Sequence, residues 1–376
     1  MKKTIASCMI MIICNVSLFA QDVKTEVKKI SDQYKAVGVA YVVVKNGKII
    51  EQNAVGQSSI ENNTPLDVNQ NIFRIASISK SFTATALMQL VEKKKISLDD
   101  DFGDLIGFPV RNPKFPNTKI TLRMVLSHTS SINDANGYFE LDVINPSKNP
   151  DWQKSYNAYE PGADYQYCNL NFNIAGAVLE KLTNIRFDTY IRQQILNPLS
   201  LYGGYCIDSL DNTRFASLYS YDNKNDKFVL QPLAYNPRSE EIRNYKLAES
   251  TPIFSPTGGM KISAVDLAKY MIMHMNYGKS GKVKILGKKF SKQMQTKISD
   301  KEGYGLALLE TTKLIPGQHL VGHTGSAYGL YSSMFFNPKE KYGIVVITNG
   351  CVPTYKDGHV ALTSDVINML YEKLIK

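Results

Sequence analysis

Residues 75–84, IASISKSFTA, place three serines around one lysine at the head of an apolar run. Ser77 and Lys80 are neighbours on one helix face, and Ser81 shares that face and is expected to support the Lys80 ammonium. A helix that starts near Ser77 leaves backbone N–H groups free to hold an oxyanion. Burial of Lys80 would disfavour its charged form and make it a base. The segment therefore predicts an activated serine, with a polar helix start as the alternative.

The composition is that of an ordinary globular protein with a basic surface. The 376 residues are 43% hydrophobic and 21% charged, which suits one large domain or two closely packed ones. The net charge of +10 comes from lysines scattered along the chain, which indicates a solvated surface and not a nucleic-acid site. The chain has no Cys-x-x-Cys, His-Glu-x-x-His or EF-hand pattern, so no metal site is predicted.

Residues 1–20 have the pattern of a cleavable secretory signal. The basic MKKT precedes an apolar run that ends at Ala20, where we expect cleavage. This predicts a secreted or periplasmic protein. The apolar run is too short for a stable membrane span, and no other stretch is a candidate. The mature chain keeps three cysteines, which allow at most one disulfide: Cys168, Cys206 and Cys351.

Both ends of the mature chain have strand patterns. β-Branched runs flank Asn46-Gly47, which is a strong hairpin signal, and an amphipathic helix is predicted just before them. Near the other end, YSSMFFNPKEKYGIVVITNG has two strands around a turn at residues 337–341. A closing amphipathic helix follows, and Ser364 or Asp365 is its expected cap.

These strands most simply share one antiparallel sheet with helices packed on it. The sheet part would comprise about residues 21–75 and 255–376. Residues 76–254 contain helical and short apolar segments and would form an all-helical insertion, beginning with a buried helix after the serines. A cleft between the two parts is the expected place for a site.

Three motifs, here called stations, could contribute to one site. The first is the serine-lysine segment, and the second is Tyr167-Cys168-Asn169. In an extended segment Tyr167 and Asn169 project to one side, and Cys168 projects to the other as a small buried side chain. A tyrosine and an asparagine in a cleft offer a phenol for proton transfer and an amide for a substrate carbonyl. The same pattern recurs at residues 221–223, but in a polar stretch that is typical of a hairpin turn, so we do not assign that copy to the site.

The third station is His323-Thr324-Gly325, which follows an apolar stretch and suits an edge strand. Gly325 would let another backbone approach closely, and an extended substrate could pair there as an added strand. Thr324 offers a hydroxyl, and the N–H of Ser326 is a candidate second oxyanion donor.

The ordered set Ser-x-x-Lys, Tyr-x-Asn and His-Thr-Gly resembles the serine β-lactamase and penicillin-binding peptidase superfamily. The Tyr-x-Asn version is similar to its class C β-lactamase and D-alanyl-D-alanine carboxypeptidase branch. Other stretches match as well: FRIASISKSFTA, TLRMVLSHTSS, EPGADYQYCN and TGGMKISAVDLAKYM. The resemblance implies an α/β (α+β) fold, with an antiparallel sheet flanked by helices and an all-helical insertion domain. It implies acyl-enzyme chemistry without a cofactor in a single serine hydrolase domain, residues 21–376.

Carried over to this chain, the resemblance makes Ser77 the nucleophile and has Lys80 and Tyr167 move the proton, with the choice of base left open. The residues that it implies for substrate binding are Asn169, His323, Thr324, Gly325 and Ser326. No metal is implied. His128 lies in a family-like stretch, and we interpret it as structural.

Two departures from the family pattern affect the expected substrate. His323 stands where the β-lactamases carry lysine, and an unperturbed histidine is only about a quarter protonated at pH 7, so carboxylate recognition should be weaker. Ser131 stands where the family often has glycine. The leading prediction is a D-amino-acid peptide and carboxypeptidase-like cleavage. The alternatives are β-lactam or small-ester hydrolysis, or a non-catalytic protein that binds peptidoglycan or β-lactam. The sequence leaves the oligomeric state open.

Overall fold

The computed structural model describes residues 22–376, so the predicted signal at residues 1–20 lies outside the described residues. Its centre is a seven-stranded antiparallel sheet with the spatial order β4–β5–β6–β7–β1–β2–β3. The strands are β1 (Gly38–Lys45), β2 (Lys48–Ser59), β3 (Thr64–Pro65), β4 (Leu309–Thr311), β5 (Leu320–Ala327), β6 (Leu330–Asn337) and β7 (Tyr342–Thr348). Both ends of the chain therefore contribute to one sheet, as predicted.

The two predicted hairpins are confirmed. Asn46 and Gly47 both have positive φ angles, +54° and +71°, which is the turn that matches the twist of two antiparallel strands. Lys45 pairs with Lys48 across this turn. The turn at residues 337–341 joins β6 to β7, and its first residue, Asn337, accepts the backbone N–H groups of two later turn residues through its side chain.

The sheet is buried on both faces, and strand β1 shows why its run of apolar residues is continuous. Ala40, Val42 and Val44 belong to one core cluster, whereas Val39, Tyr41 and Val43 belong to the other. Successive side chains of a strand point to opposite faces, so a strand between two cores needs apolar residues at every position.

In the described part of the chain, six helices have eight or more residues: α1 (22–33), α2 (Ser79–Glu92), α3 (Asn169–Thr183), α4 (Ala264–Met275), α5 (Lys288–Gln295) and α6 (Ala361–Leu374). Helices α1 and α6 contribute to the core on one sheet face, and α4 contributes to the core on the other face together with α2 and α3. The two terminal helices are joined by a hydrogen bond from Tyr34 to Asp365 and by an ion pair of 2.7 Å between Lys373 and Asp22.

The predicted cap of the closing helix is wrong. Helix α6 begins at Ala361, three residues before Ser364, and Val360 precedes it without a side-chain cap. The Ala361 N–H donates to the Thr354 carbonyl oxygen instead, because a hairpin of Tyr355–Lys356 and His359–Val360 leads directly into the helix. Asp365 lies within the helix and accepts the Tyr34 hydroxyl.

The middle of the chain, predicted to be all-helical, supplies short helices around the buried helix α2 but also contains short strands. The short helices are Phe102–Ile106, Leu122–Leu126, Phe187–Ile191 and Ser239–Arg243, with a π-helical turn at Arg192–Leu196. Tyr219–Asp222 and Lys227–Leu230 pair as a hairpin, so the second Tyr-x-Asn copy lies at a hairpin turn as predicted. Lys279–Ser280 and Val283–Lys284 form another hairpin. In residues 22–376, no helix is both long and apolar enough to cross a membrane.

A small sheet positions the segment before Ser77. Lys261–Ile262 is its central strand, and Phe73–Arg74 and Gly203–Gly204 pair with it on either side. The Ile75 N–H then donates to the Met260 carbonyl oxygen at 2.9 Å. The chain therefore enters the serine-lysine segment from an anchored strand.

Candidate active site

A cleft of about 1060 Å³ contains the sequence-predicted residues from all three stations. Six of the eight predicted site residues line it: Ser77, Tyr167, Asn169, His323, Thr324 and Ser326. Lys80 lies behind Ser77 and Gly325 lies within strand β5. Segments that are about ninety residues or more apart in the sequence thus meet at one place.

Ser77 lies in a 3₁₀ turn, Ala76–Ile78, that leads into helix α2. Ala76 has a φ of +50°, a region in which a residue with a Cβ is strained. Its neighbour Ile75 is held in place, because the Ile75 carbonyl oxygen accepts the Ser332 hydroxyl at 3.0 Å. This anchored bend presents Ser77 at the cleft while the rest of helix α2 stays buried.

Lys80 is fully buried and donates to three acceptors. Its Nζ is 3.1 Å from Ser77 Oγ, 3.0 Å from Asn169 Oδ1 and 3.0 Å from the Thr257 carbonyl oxygen. Burial lowers the pKa of Lys80 to about 7, against an opposing effect of the Asp134 charge. A neutral amine is therefore accessible near pH 7, at hydrogen-bond distance from the serine.

The expected support from Ser81 is wrong. The Ser81 hydroxyl donates to the Ile78 carbonyl oxygen at 2.8 Å and accepts from Tyr270 at 3.2 Å. The helix turns Ser81 toward its own backbone and the core, and Asn169 and Thr257 hold the ammonium instead.

Tyr167 lines the cleft together with Ser77. Its phenol interacts with the Ser77 side chain, and its ring centroid is 4.7 Å from Lys80 Nζ. Burial raises the pKa of Tyr167, so the phenol keeps its proton at neutral pH. Ser77 Oγ consequently contacts one amine whose pKa is lowered and one phenol whose pKa is raised, which are two groups suited to pass a proton between them.

The side-chain amide of Asn169 is held by protein groups at both its oxygen and its nitrogen. Its Oδ1 accepts from Lys80 and, at 2.9 Å, from the Thr257 hydroxyl, and its Nδ2 donates to Asp134 Oδ2 at 3.0 Å. In this arrangement Asn169 fixes the position of Lys80. Its predicted contact with a substrate carbonyl stays a prediction.

Asp134 was not predicted from the sequence, yet it organises the second station. Its carboxylate accepts the backbone N–H groups of Asn169 and Leu170, each at 2.9 Å, and the Cys168 thiol at 3.2 Å. It therefore caps helix α3 from a different loop, with favourable charge at the helix start. Thr257 was also missed. Thr257 is the first residue of the family-like stretch TGGMKISAVDLAKYM, which was the available signal for it, whereas Asp134 lies outside every such stretch and its partners are distant in sequence.

Strand β5 offers a free edge to the cleft. Strand β4 pairs only with Leu320, Val321 and Gly322 of β5, so the later part of that edge has no strand partner among residues 22–376. A Cβ added to Gly325 would lie 2.2 Å from the Ile75 carbonyl oxygen and 2.4 Å from Ser332 Oγ. The expected close approach of another backbone at Gly325 is thus confirmed, and that backbone is the one leading to Ser77.

His323 is neutral in this arrangement. Its Nδ1 donates to the Thr324 carbonyl oxygen, so its Nε2 accepts the Tyr304 hydroxyl at 2.8 Å. Burial, with a further effect of Lys80, lowers the pKa of His323 to about 3. His323 therefore supplies no positive charge at neutral pH, which strengthens the expectation of weak carboxylate binding at this position.

His128 supports the segment that carries Tyr167. Its Nδ1 accepts the Cys168 N–H at 3.2 Å, and its ring centroid is 4.4 Å from that of Tyr167. Burial lowers the pKa of His128 well below its usual value, so the ring is neutral. Ser131 has a φ of +62°, a conformation that glycine adopts readily. Among the described residues, the three cysteines are buried free thiols.

The chain is similar to known proteins over most of its length. A family model described as Beta-lactamase matches residues 20–363. Protein flp of Staphylococcus aureus strain N315 is 24% identical over 327 residues, which cover 83% of this chain and 59% of that protein. The chain thus spans just over half of that relative. Penicillin-binding protein 4 of Amycolatopsis lactamdurans is 25% identical over 304 residues, covering 76% of this chain and 74% of that protein.

Solved structures share the fold over nearly the whole chain. A penicillin-binding protein homologue from Pyrococcus abyssi has a TM-score of 0.73 at 24% identity, covering 94% of this chain and 77% of its own. The D-amino acid amidase from Ochrobactrum anthropi SV3 has a TM-score of 0.70 at 18% identity, covering 94% and 99%. The hydrolase EstCE1 has a TM-score of 0.72 at 20% identity, covering 95% and 99%. The family match over most of the chain shows that it belongs to the Beta-lactamase family, and the solved structures share its fold.

Proposed function

We propose that the protein cleaves an amide or ester bond through an acyl-enzyme on Ser77, and that its substrates are peptides or amides of D-amino acids. The observation that carries this proposal is the buried Lys80 amine, 3.1 Å from Ser77 Oγ, with a pKa of about 7. The structural similarity to the D-amino acid amidase supports the D-amino-acid class.

In the proposed acylation step, neutral Lys80 takes the proton of Ser77 as Oγ attacks the substrate carbonyl carbon. The backbone N–H groups of Ser77 and Ser326 hold the resulting oxyanion. The bond to the leaving nitrogen or oxygen then breaks, and the leaving group receives a proton from Lys80, either directly or through Tyr167.

In the proposed deacylation step, a water molecule attacks the ester carbon on Ser77. Its proton passes to the amine of Lys80 through the phenol of Tyr167, a residue that lines the cleft and whose ring centroid is 4.7 Å from Lys80 Nζ. The acid product leaves as Ser77 Oγ recovers a proton from Lys80. In acylation Lys80 and Tyr167 thus move a proton from Ser77 to the leaving group, and in deacylation they move a proton from water back to Ser77.

Two other functions have support of their own. Hydrolysis of small esters is favoured by the similarity to EstCE1, and β-lactam hydrolysis is supported by the family match but disfavoured by a neutral His323.

We also propose that residues 1–20 direct the protein to the periplasm or outside the cell, where D-amino-acid peptides of peptidoglycan are available substrates.

The test is the intact mass of residues 21–376 mixed separately with benzylpenicillin, an activated ester and a panel of D-amino-acid amides, beside Ser77→Ala. A Ser77-dependent covalent adduct, or Ser77-dependent product release, is the expected result. A lasting penicillin adduct favours a peptidase, and rapid release of the opened penicillin favours a β-lactamase.

Selective turnover of D-amino-acid amides, with the L-enantiomers as controls, would support the proposed substrate class. Equal turnover of both enantiomers would contradict that class while leaving the hydrolase mechanism intact. If no compound gives an adduct or a product that depends on Ser77, the acyl-enzyme mechanism is wrong.

A further inference from the structure

The cleft wall contains an arginine whose charge is not balanced. Arg74 lies three residues before Ser77 and lines the same cleft. Its Nε donates to the Gly258 carbonyl oxygen at 3.1 Å, and its Nη1 donates to the Ala234 carbonyl oxygen at 3.4 Å. The guanidinium carbon is 5.2 Å from the ring centroid of Tyr328. Within residues 22–376, Arg74 has no carboxylate partner, and its Nη2 has no hydrogen-bond acceptor.

The surroundings of Arg74 supply no counter-charge. Its neighbours are the phenols of Tyr328 and Tyr235 and another cation, Arg238, which itself pairs with Glu241 at 2.8 Å. A guanidinium that is partly withdrawn from water is costly unless it is paired, and two carbonyl oxygens and a ring face compensate it only in part. The free edge of the guanidinium is therefore suited to an anion.

Several other cations of the cleft are paired or neutral, whereas Lys313 also lines the cleft and forms no ion pair within residues 22–376. Lys297 pairs with Asp300 at 2.6 Å, and Lys301 pairs with Asp164 at 3.2 Å. His323 is neutral, and the pKa of Lys80 is lowered to about 7. Arg74 keeps its charge at every physiological pH. The residue that accepts Arg74 Nε, Gly258, lies beside the residue before Ser77, since a Cβ added to Gly258 would be 3.8 Å from the Ala76 carbonyl carbon.

We propose that Arg74 binds a carboxylate of the substrate, so that the preferred substrates are amides or esters that carry a free carboxylate near the scissile bond. A carboxylate can accept two parallel hydrogen bonds from the Nη1 and Nη2 side of a guanidinium. This inference rests on the proposed hydrolase function and narrows its substrate class. It also gives the cleft an anion site that does not depend on His323.

The test compares aryl esters in matched pairs, with the carboxylate on the acyl or the leaving side. The first pair is the 4-nitrophenyl esters of 4-carboxybenzoic and 4-carbamoylbenzoic acid, and the second is 4-acetoxybenzoate and 4-acetoxybenzamide. For each pair, kcat/KM is measured for the wild type, Arg74→Gln, Arg74→Lys and Lys313→Gln. Lys313 is the matched control, because it is another cation that lines the cleft.

The wild type should prefer the anionic ester by about 10- to 100-fold in one of the two pairs, the effect of one charge-assisted pair of hydrogen bonds. Arg74→Gln should bring that ratio close to one while turnover of the neutral ester persists. Arg74→Lys should retain part of the preference, because it keeps the charge without the planar fork. Lys313→Gln should keep the full ratio.

The proposal is overturned if the wild type shows no preference in either pair, or if the preference survives in Arg74→Gln or disappears in Lys313→Gln. If Arg74→Gln does not fold, it will also lose turnover of the neutral ester. In that case the proposal is overturned if Arg74→Lys has the same ratio of kcat/KM for the anionic and the neutral ester as the wild type. Failure of the hydrolase function is a separate result, since then the wild type would hydrolyse neither neutral nor anionic esters faster than Ser77→Ala.

Discussion

At the scale of single residues, Lys80 connects the stations of the candidate site. It contacts Ser77 on its own turn, Asn169 at the start of helix α3 and the backbone of Thr257. Each contact holds the amine in a place where water does not reach it. The lowered pKa of Lys80 is a consequence of this enclosure, because desolvation disfavours the ammonium form.

The lowered pKa predicts a pH dependence. Below pH 7 the ammonium of Lys80 has no free electron pair to accept the Ser77 proton, and above pH 7 the neutral amine can accept it. We therefore expect kcat/KM for an activated ester to rise through about pH 7 and then level off. Lys80→Met should lower kcat/KM by about 10²- to 10⁴-fold. A rate that stays flat from pH 6 to 8 after correction for spontaneous hydrolysis would contradict this role of Lys80.

The sequence predicted residues that carry chemistry more readily than residues that position them. The motif pattern predicted Ser77, Tyr167 and Thr324, and the structure places all three at one cleft. Asp134 lies in a loop and binds the start of a helix that is distant in sequence. Thr257 acts in part through its backbone carbonyl, a group that every residue type has. Neither kind of contact leaves a local pattern in the sequence.

At the scale of elements, the start of helix α3 depends on a carboxylate from outside the helix. Cys168 is the residue at the N-cap position and makes no side-chain cap, whereas Asp134 accepts the N–H groups of Asn169 and Leu170. The same carboxylate holds the Asn169 amide. Stability of the helix and placement of Lys80 are therefore coupled through one side chain.

Asp134→Ala should reduce both stability and activity. The loss of the cap should cost about 1–2 kcal/mol of unfolding free energy, and the released Asn169 should lower kcat at least about 10-fold. Ser263→Ala is the matched control, since Ser263 caps helix α4 through the Asp266 N–H at 3.1 Å and does not line the cleft. We expect a similar loss of stability in that variant with unchanged kcat. Equal activity of the two variants would contradict the coupling.

Some elements were predictable because their signals are local, and others were not. The Asn46-Gly47 turn needs two positive φ angles, which few residue pairs tolerate, so the sequence specifies it alone. The start of helix α6 was misplaced because a preceding hairpin supplies the hydrogen bond that a capping side chain would otherwise make. Tertiary contacts of that kind override the general preference for serine or aspartate at a helix start.

At the scale of the whole molecule, both terminal helices cover one face of the sheet. Val23 and Val27 of helix α1 are fully buried in the same core cluster as Leu370 of helix α6. The N-terminal helix is therefore part of the folded domain. This arrangement followed from the strand patterns at both ends of the chain, whereas the irregular middle segments have no periodicity from which their paths could be predicted.

Val27→Ala should destabilise the protein by about 2 kcal/mol, through lost apolar burial and the cavity left behind. Urea unfolding of residues 21–376 measures the effect. The adjacent Lys28→Ala is the control, because Lys28 is exposed and pairs only with Asp32 at the surface. If the two variants unfold at the same urea concentration, helix α1 does not contribute to the core in solution.

The ion pair between Asp22 and Lys373 has a consequence for chain connectivity. It places the first and last turns of the described fold side by side, on the sheet face opposite the core that contains helix α4. A short linker could therefore join residue 376 to residue 22, and the chain could be opened at the exposed turn of residues 223–226. Such a circular permutant would keep every strand of the sheet in place. The fold would then not depend on the order in which the segments follow one another along the chain.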